Sequence, residues 1–170
     1  FRLSPQNQNL EQFSLGKRAG CFALRNSGGL VIATENGLAF WEEQHGLSRN
    51  FIDLYPSGAP NMMNDGRVDG AGRFWVGSKG PQGSASLFRL DPDRKVTQIL
   101  DSVTISNGID WSPDNQFCYY VDSGASTLDR YRYDLDNGQL YAPQLFYKPE
   151  GPPATATPDG LSVDSAGNIW

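Results

Sequence analysis

Histidine is almost absent from this chain: His45 is the only one in 170 residues. It sits in the polar turn WEEQHG, so Ser-His-Asp and Cys-His mechanisms have little to work with. The two cysteines, Cys21 and Cys118, lie far apart and lack the spacing of metal ligands. They read as two buried thiols, or as a pair in an oxidising compartment. No apolar run approaches the ~18 residues of a membrane helix, so no membrane partner is expected. Basic residues number 14 against 19 acidic ones, and no basic patch stands out, so nucleic acid is not an expected partner. No window sustains a period of 3.6 with caps, so helix should be scarce.

What is present is punctuation and aromatic side chains. Nineteen glycines and eleven prolines suit many short strands joined by tight turns. Hydrophobic residues make up 38% and aromatics 12%, enough for a packed core. The chain starts at Phe1 and stops at Trp170 in DSAGNIW, the middle of a pattern described next, so it reads as a piece of a longer polypeptide.

That pattern is a repeat. NDGRVDGAGRFWVGS, from Asn64, aligns with GCFALRNSGGLVIAT, from Gly20, and Gly72 then meets Gly28. It also aligns with NGIDWSPDNQFCYYVDS, from Asn107, and with DGLSVDSAGNIW, from Asp159. In the last alignment Asp69 meets Asp164 and Trp75 meets Trp170. Each copy is a polar residue, a short apolar strand, a turn of Asp, Ser and Gly, and a second apolar strand. Further strand pairs lie between copies: near Leu38–Trp41 and Leu47–Leu54, around the Asp-Pro-Asp turn at 91–93, and across Asn137-Gly138. The first fifteen residues read as the last hairpin of an earlier unit.

Four antiparallel strands in roughly 43 to 52 residues is the signature of a β-propeller blade. The fold class is therefore all-β, about three and a half blades, near 20–63, 64–106 and 107–158, with a further blade starting at 159–170. A β-sandwich explains the hairpins but not the recurring register.

In a propeller the first strand of each unit lines the central channel. The register places Gly20, Asn64, Asn107 and Asp159 together at one end of it. Two amides and one carboxylate are hard oxygen donors, suited to Ca²⁺, Mg²⁺ or Mn²⁺. The plain alternative is turn chemistry, since Asn-Gly and Asp-Gly are common turn formers. Asp69, Asp122 and Ser123 read as caps of local backbone, and Trp75 and Trp111 as packing between blades.

NDGRVDGAGRFWVGS, ISNGIDWSPDNQFCYYVDS and TPDGLSVDSAGNIW, in that order and spacing, resemble the senescence marker protein/gluconolactonase/luciferin-regenerating-enzyme family. The resemblance covers essentially the whole chain. It implies a six-bladed propeller holding one divalent cation, Ca²⁺ first and Zn²⁺, Mg²⁺ or Mn²⁺ as alternatives, and hydrolysis of small lactones. Asn107 and Asp159 match two of the family's metal ligands, and Asp159 matches its acid/base carboxylate. Asn64 matches a position contacting substrate or the metal-bound water. The family's remaining protein ligand is a glutamate in a blade ahead of this segment. Met62 stands where sugar-lactonase relatives carry an arginine, which removes a cationic clamp for acidic or hydroxyl-rich substrates. The loop Lys79–Ser84 matches a substrate lid from which Lys79 or Gln82 could reach a ligand; a solvated loop is the simpler reading. Two rivals to a lactonase remain: a Ca²⁺-binding regulatory propeller without catalysis, and a propeller serving protein partners.

Overall fold

The computed structural model describes residues 1–150 and 157–170. Among these there are fourteen strands and no helix. A small ribbon, β1 (Arg2–Leu3) with β2 (Leu10–Glu11), precedes three four-stranded antiparallel sheets. The first is β3 (Ala19–Leu24), β4 (Leu30–Thr34), β5 (Gly37–Glu42) and β6 (Gly46–Asp53). The second is β7 (Met62–Val68), β8 (Phe74–Lys79), β9 (Ala85–Leu90) and β10 (Val96–Val103). The third is β11 (Ser106–Trp111), β12 (Phe117–Asp122), β13 (Thr127–Asp134) and β14 (Gln139–Tyr147). In each sheet sequence order equals spatial order. The segment after residue 156 contributes one isolated bridge, Val163 to Ile169. The expected third unit, 107–158, crosses residues 151–156, which lie outside the described residues.

The sheets stack face to face because their strands are apolar on both sides. Along β8, Phe74 and Val76 pack into a core shared with Ala23, Val31 and Leu38 of the first sheet. Trp75, between them in sequence, packs the other way, against Ile109, Trp111 and Tyr120 of the third. A strand's side chains alternate faces, so one strand serves two cores. The third sheet repeats the scheme: Tyr119 and Val121 turn toward Leu161, Val163 and Ile169. Strand β7 lies between β3 and β11, so the first strands of the three sheets run side by side. This stacking is that of propeller blades.

The second and third sheets are also locked at the turn end. Trp75 meets Trp111 edge-on, with ring centroids 5.7 Å apart. Asp69, fully buried, accepts from Arg73 Nε at 2.8 Å, Trp75 Nε1 at 2.8 Å and the Tyr133 hydroxyl at 2.6 Å. Its other oxygen accepts from the backbone N–H groups of Ala71 and Arg73. Burial works against the charge of Asp69, but the donors from Tyr133, Trp75 and Arg73 together outweigh it and hold the carboxyl below its usual range. Arg73 continues to the carbonyls of Leu135 and Asp136 in the β13–β14 turn. Asp69 thus caps local backbone, as expected, and in addition clamps two sheets together.

Candidate functional site

The site lies where the first strands begin. There all three sheets carry the same irregularity. Between the pairs Met63–Ser78 and Gly66–Val76, two residues of β7 oppose one of β8. Between Ser106–Asp122 and Ile109–Tyr120, two residues of β11 oppose one of β12. Between Ala19–Thr34 and Phe22–Ile32, two residues of β3 oppose one of β4. These are β-bulges, which break the ladder and re-aim side chains. The bulged pairs are Gly20-Cys21, Asn64-Asp65 and Asn107-Gly108. An amide and a carboxylate stand at the start of β7 because the bulge takes them out of the alternation that would bury them.

The polar side chains there are joined across sheets. The Asn64 amide donates to the carbonyl of Ser106 at 2.8 Å and to Oδ1 of Asn107 at 3.3 Å. The Asn107 amide donates to the Ser123 hydroxyl at 2.8 Å, and that hydroxyl donates to the carbonyl of Pro158. A hydroxyl has one hydrogen, so Ser123 can only accept from Asn107. The Asn107 side chain is therefore oriented, with its oxygen turned to the Asn64 side. Backbone contacts hold the strands close. The N–H of Gly108 donates to the carbonyl of Asp159 at 3.1 Å. A Cβ on Gly108 would come within 2.4 Å of the Leu161 nitrogen, and one on Gly20 within 2.3 Å of the Asn64 carbonyl. Gly20 supplies no ligand because the first sheet touches the second there by backbone alone.

The structure thus brings Asn64 and Asn107 into direct contact and sets the backbone of Asp159 against the residue after Asn107. The Asp159 side chain is exposed and near enough to Asp65 to affect it: burial first, and then the Asp159 charge, push the Asp65 carboxyl up. Met62 is half-buried at the entry of β7, opposite Lys79. Gln82 is exposed, and among the described residues no hydrogen bond joins it to the amides. Its loop is fastened down: Asn61 donates to the carbonyl of Ser84 at 2.9 Å, and Gly83 N to the Thr104 hydroxyl at 3.1 Å.

Two groups escaped the sequence reading. Ser123 was expected to cap backbone, as Asp122 does for Thr104, Ile105 and Gly124; instead it sets the Asn107 amide. Below the site, Arg67 Nε lies 3.1 Å from Asp110 Oδ1, and Arg67 Nη1 donates to the Ser162 hydroxyl at 3.2 Å. Asp110 also accepts from the N–H of Val163 at 2.8 Å. Each member lies three residues beyond Asn64, Asn107 or Asp159, so the same register contained the signal.

Among the described residues no three His, Cys, Asp or Glu side chains converge as a metal-binding group. The available donor set is instead amide and carboxylate oxygen. Oδ1 of Asn107 has one long bond, from Asn64, and Oδ1 of Asn64 has no hydrogen bond among the described residues. Oriented amide oxygens are hard donors of the kind a divalent cation takes, and the Asp159 side chain is exposed on the next strand entry. His45, by contrast, is an exposed turn residue 3.3 Å from Glu42, and both cysteines are free thiols.

A family model described as "SMP-30/Gluconolactonase/LRE-like region" matches residues 1–170. Regucalcin of Danio rerio is 34% identical over 176 residues, which cover 99% of this chain and 58% of that protein. The 6-deoxy-6-sulfogluconolactonase of Pseudomonas putida is 34% identical over 177 residues, with the same coverage. The chain thus spans under two thirds of these relatives' length. Among solved structures, a calcium-binding regucalcin from Agrobacterium tumefaciens superposes with a TM-score of 0.83 at 27% identity, over 93% of this chain and 54% of that one. A luciferin-regenerating enzyme superposes with a TM-score of 0.79 at 28% identity, over 91% of this chain and 55% of that one.

Proposed function

The chain belongs to the SMP-30/gluconolactonase/LRE-like family, and from that premise we propose that its full-length protein opens small lactones with the help of one divalent cation. The three sheets are then successive blades, and residues 159–170 begin a fourth. The observation that carries the reading is the bulge repeated in three sheets, which sets Asn64 and Asn107 in hydrogen-bonding contact at the entry of neighbouring strands.

In this reading Asn107 and Asp159 hold the cation, Ca²⁺ first among candidates. Such an ion supplies Lewis-acid polarisation of a carbonyl and of water, worth several kcal/mol. The residues do the rest. Ser123 holds the Asn107 amide so that its oxygen, not its nitrogen, faces the ion. Asp159 takes the proton of the attacking water, a step worth about 10²–10⁴-fold. Asn64 orients the lactone carbonyl or that water with its free oxygen and shared amide. Met62 gives an apolar wall where a guanidinium would select acidic sugars, so compact or apolar lactones are preferred. Gln82, on its fastened loop, contacts the outer part of the substrate.

Hydrolysis is followed with a pH indicator over aliphatic and sugar lactones, with and without chelator. Turnover that stops with chelator and returns with Ca²⁺ is expected; turnover indifferent to chelator sinks the proposal. A second reading, Ca²⁺ held without turnover, is favoured by the calcium-binding description of the Agrobacterium relative. Tight Ca²⁺ binding with no lactone opened across the panel would select it.

A further inference from the structure

At the end of the sheets away from Asn64, a cavity of about 380 Å³ lies between the first and second sheets. Its walls are apolar: Val31 and Phe40 from the first sheet, Phe74 and Leu90 from the second, with Val68 and Ala71 at the rim. Its polar lining is Asn26, Ser27, Asp91 and two guanidiniums. Arg25 lies 4.1 Å from the centroid of the Phe40 ring, and Arg94, from the second sheet's outer hairpin, lies 5.2 Å from the same centroid. Phe40 is itself stacked on Phe51 at 4.5 Å, which fixes its plane.

Arg94 is anomalous within the repeat. Six turns at this end share one hydrogen-bond pattern, in which the fourth residue's N–H returns to the first residue's carbonyl. In the turn closed by His45 the left-handed residue is the next one, Gly46. In the other five the fourth residue itself has positive φ. Three are Gly28, Gly72 and Gly167, one is Asn115, and one is Arg94 at 69°. The left-handed region is sterically poor for a long side chain and suits glycine and asparagine. Backbone strain of this kind persists where the surroundings hold it and clusters at ligand sites. Here it carries a guanidinium across to the neighbouring sheet. The nearby carboxylates do not neutralise it. Asp91 gives both oxygens to Arg89, at 2.7 and 2.8 Å, and Glu42 pairs with Arg25 at 3.2 Å. Among the described residues Arg94 has no carboxylate partner.

We propose that this cavity is a second small-molecule site, separate from the lactone site, and that it takes an aromatic monocarboxylate. The aromatic body would cover Leu24 and Val68, which line the cavity and are 81% and 40% exposed. The carboxylate would meet the fork of Arg94 beside Arg25, a charge-assisted bidentate pairing. A phosphate would leave the apolar walls uncovered, and a neutral hydrocarbon would leave Arg94 without a counter-charge. The volume is within the range of small-molecule pockets.

The test is titration of full-length protein with naphthoate and with its uncharged alcohol, naphthalenemethanol, followed by calorimetry and by side-chain NMR shifts at Phe40 and Ala71. Naphthoate should bind saturably and the alcohol at least about tenfold more weakly, the factor a lost charge-assisted bond gives. Arg94→Gly keeps the backbone conformation and should therefore fold; it should weaken naphthoate about tenfold and leave the alcohol unchanged. Ala71→Trp should block both by filling the rim. Absence of saturable binding, equal affinity for acid and alcohol, or unchanged naphthoate affinity in Arg94→Gly overturns the proposal and leaves Arg94 as a lid on Phe40. Binding is read directly, so the outcome is independent of whether lactones are hydrolysed.

Discussion

The two ends of the first strands use the same residue types to opposite ends. At the turn end, Asp69 receives five hydrogen bonds from backbone, indole, phenol and guanidinium donors, and both its oxygens are occupied. At the entry end, Asn64 and Asn107 share one long bond, and Asp159 is exposed. A carboxylate whose lone pairs are filled by the fold has nothing left for a ligand. An amide turned by Ser123 so that its oxygen is under-used has capacity to spare. Bonding left over, rather than residue type, separates the site from the scaffold.

The sharpest break between the ends is activity against stability. Asp159→Ala should lower lactone turnover by at least about 10³-fold, since it removes a ligand and a base together. Its urea midpoint should stay at the wild-type value. Asp69→Ala should do the reverse. It strands Arg73, whose side chain is 8% exposed, and should cost about 3–5 kcal/mol in urea unfolding. Turnover per folded molecule should persist. An Asp159→Ala protein with full activity, or an Asp69→Ala protein of wild-type stability, erases the distinction.

Within the entry end the members should separate by role. Asn107→Ala should weaken the divalent cation about 10–100-fold, with excess metal restoring part of the turnover. Ser123→Ala should move metal affinity in the same direction and by less, because the amide loses the partner that turns it. Asn64→Ala should change KM or kcat by about tenfold, the scale of one hydrogen bond to a polarised group, while metal affinity stays within about twofold. Steady-state kinetics beside metal titration reads the split. If Asn64→Ala and Asn107→Ala shift metal affinity equally, the two roles collapse into one.

The difference between the ends also explains what was legible in the sequence. Sheet count, strand order and turn chemistry follow from the repeat, because each unit carries its own hydrophobic alternation. Asn64, Asn107 and Asp159 stand out because three like residues fall in one register. Arg67, Asp110 and Ser162 share a register too, but they are three different types, and each alone reads as a solvated strand residue. Ser123 and Tyr133 act only through partners on another strand or sheet. Tyr133 lies 64 residues from Asp69, and no local pattern announces that pair. The bulges leave one trace in the sequence, the polar pair Asn64-Asp65 where apolar alternation should begin.

The smallest expected effect compares the turn end with itself. Asp164 occupies the position of Asp69 in the last copy of the repeat, and it makes the same local bonds. It accepts from Ala166 N and Asn168 N at 2.9 Å each and from the Trp170 indole at 3.0 Å. Asn168 replaces Arg73, and no tyrosine reaches it among the described residues. The Trp170 indole, then Asn168, hold the Asp164 carboxyl at about 2. A depressed folded value means the turn is fully stabilised above the unfolded carboxylate pKa of ~3.9 and loses that contribution as pH falls toward about 2. The group is solvent-exposed, so the loss should be confined to the turn. The Trp170 indole N–H resonance and amide exchange at 166–168 should change between about pH 4 and pH 2. The Trp75 indole, buried on Asp69, should hold until the sheets themselves separate. Simultaneous melting of both indole signals would mean that the two aspartates are equally part of the scaffold and that burial adds nothing to the turn chemistry they share.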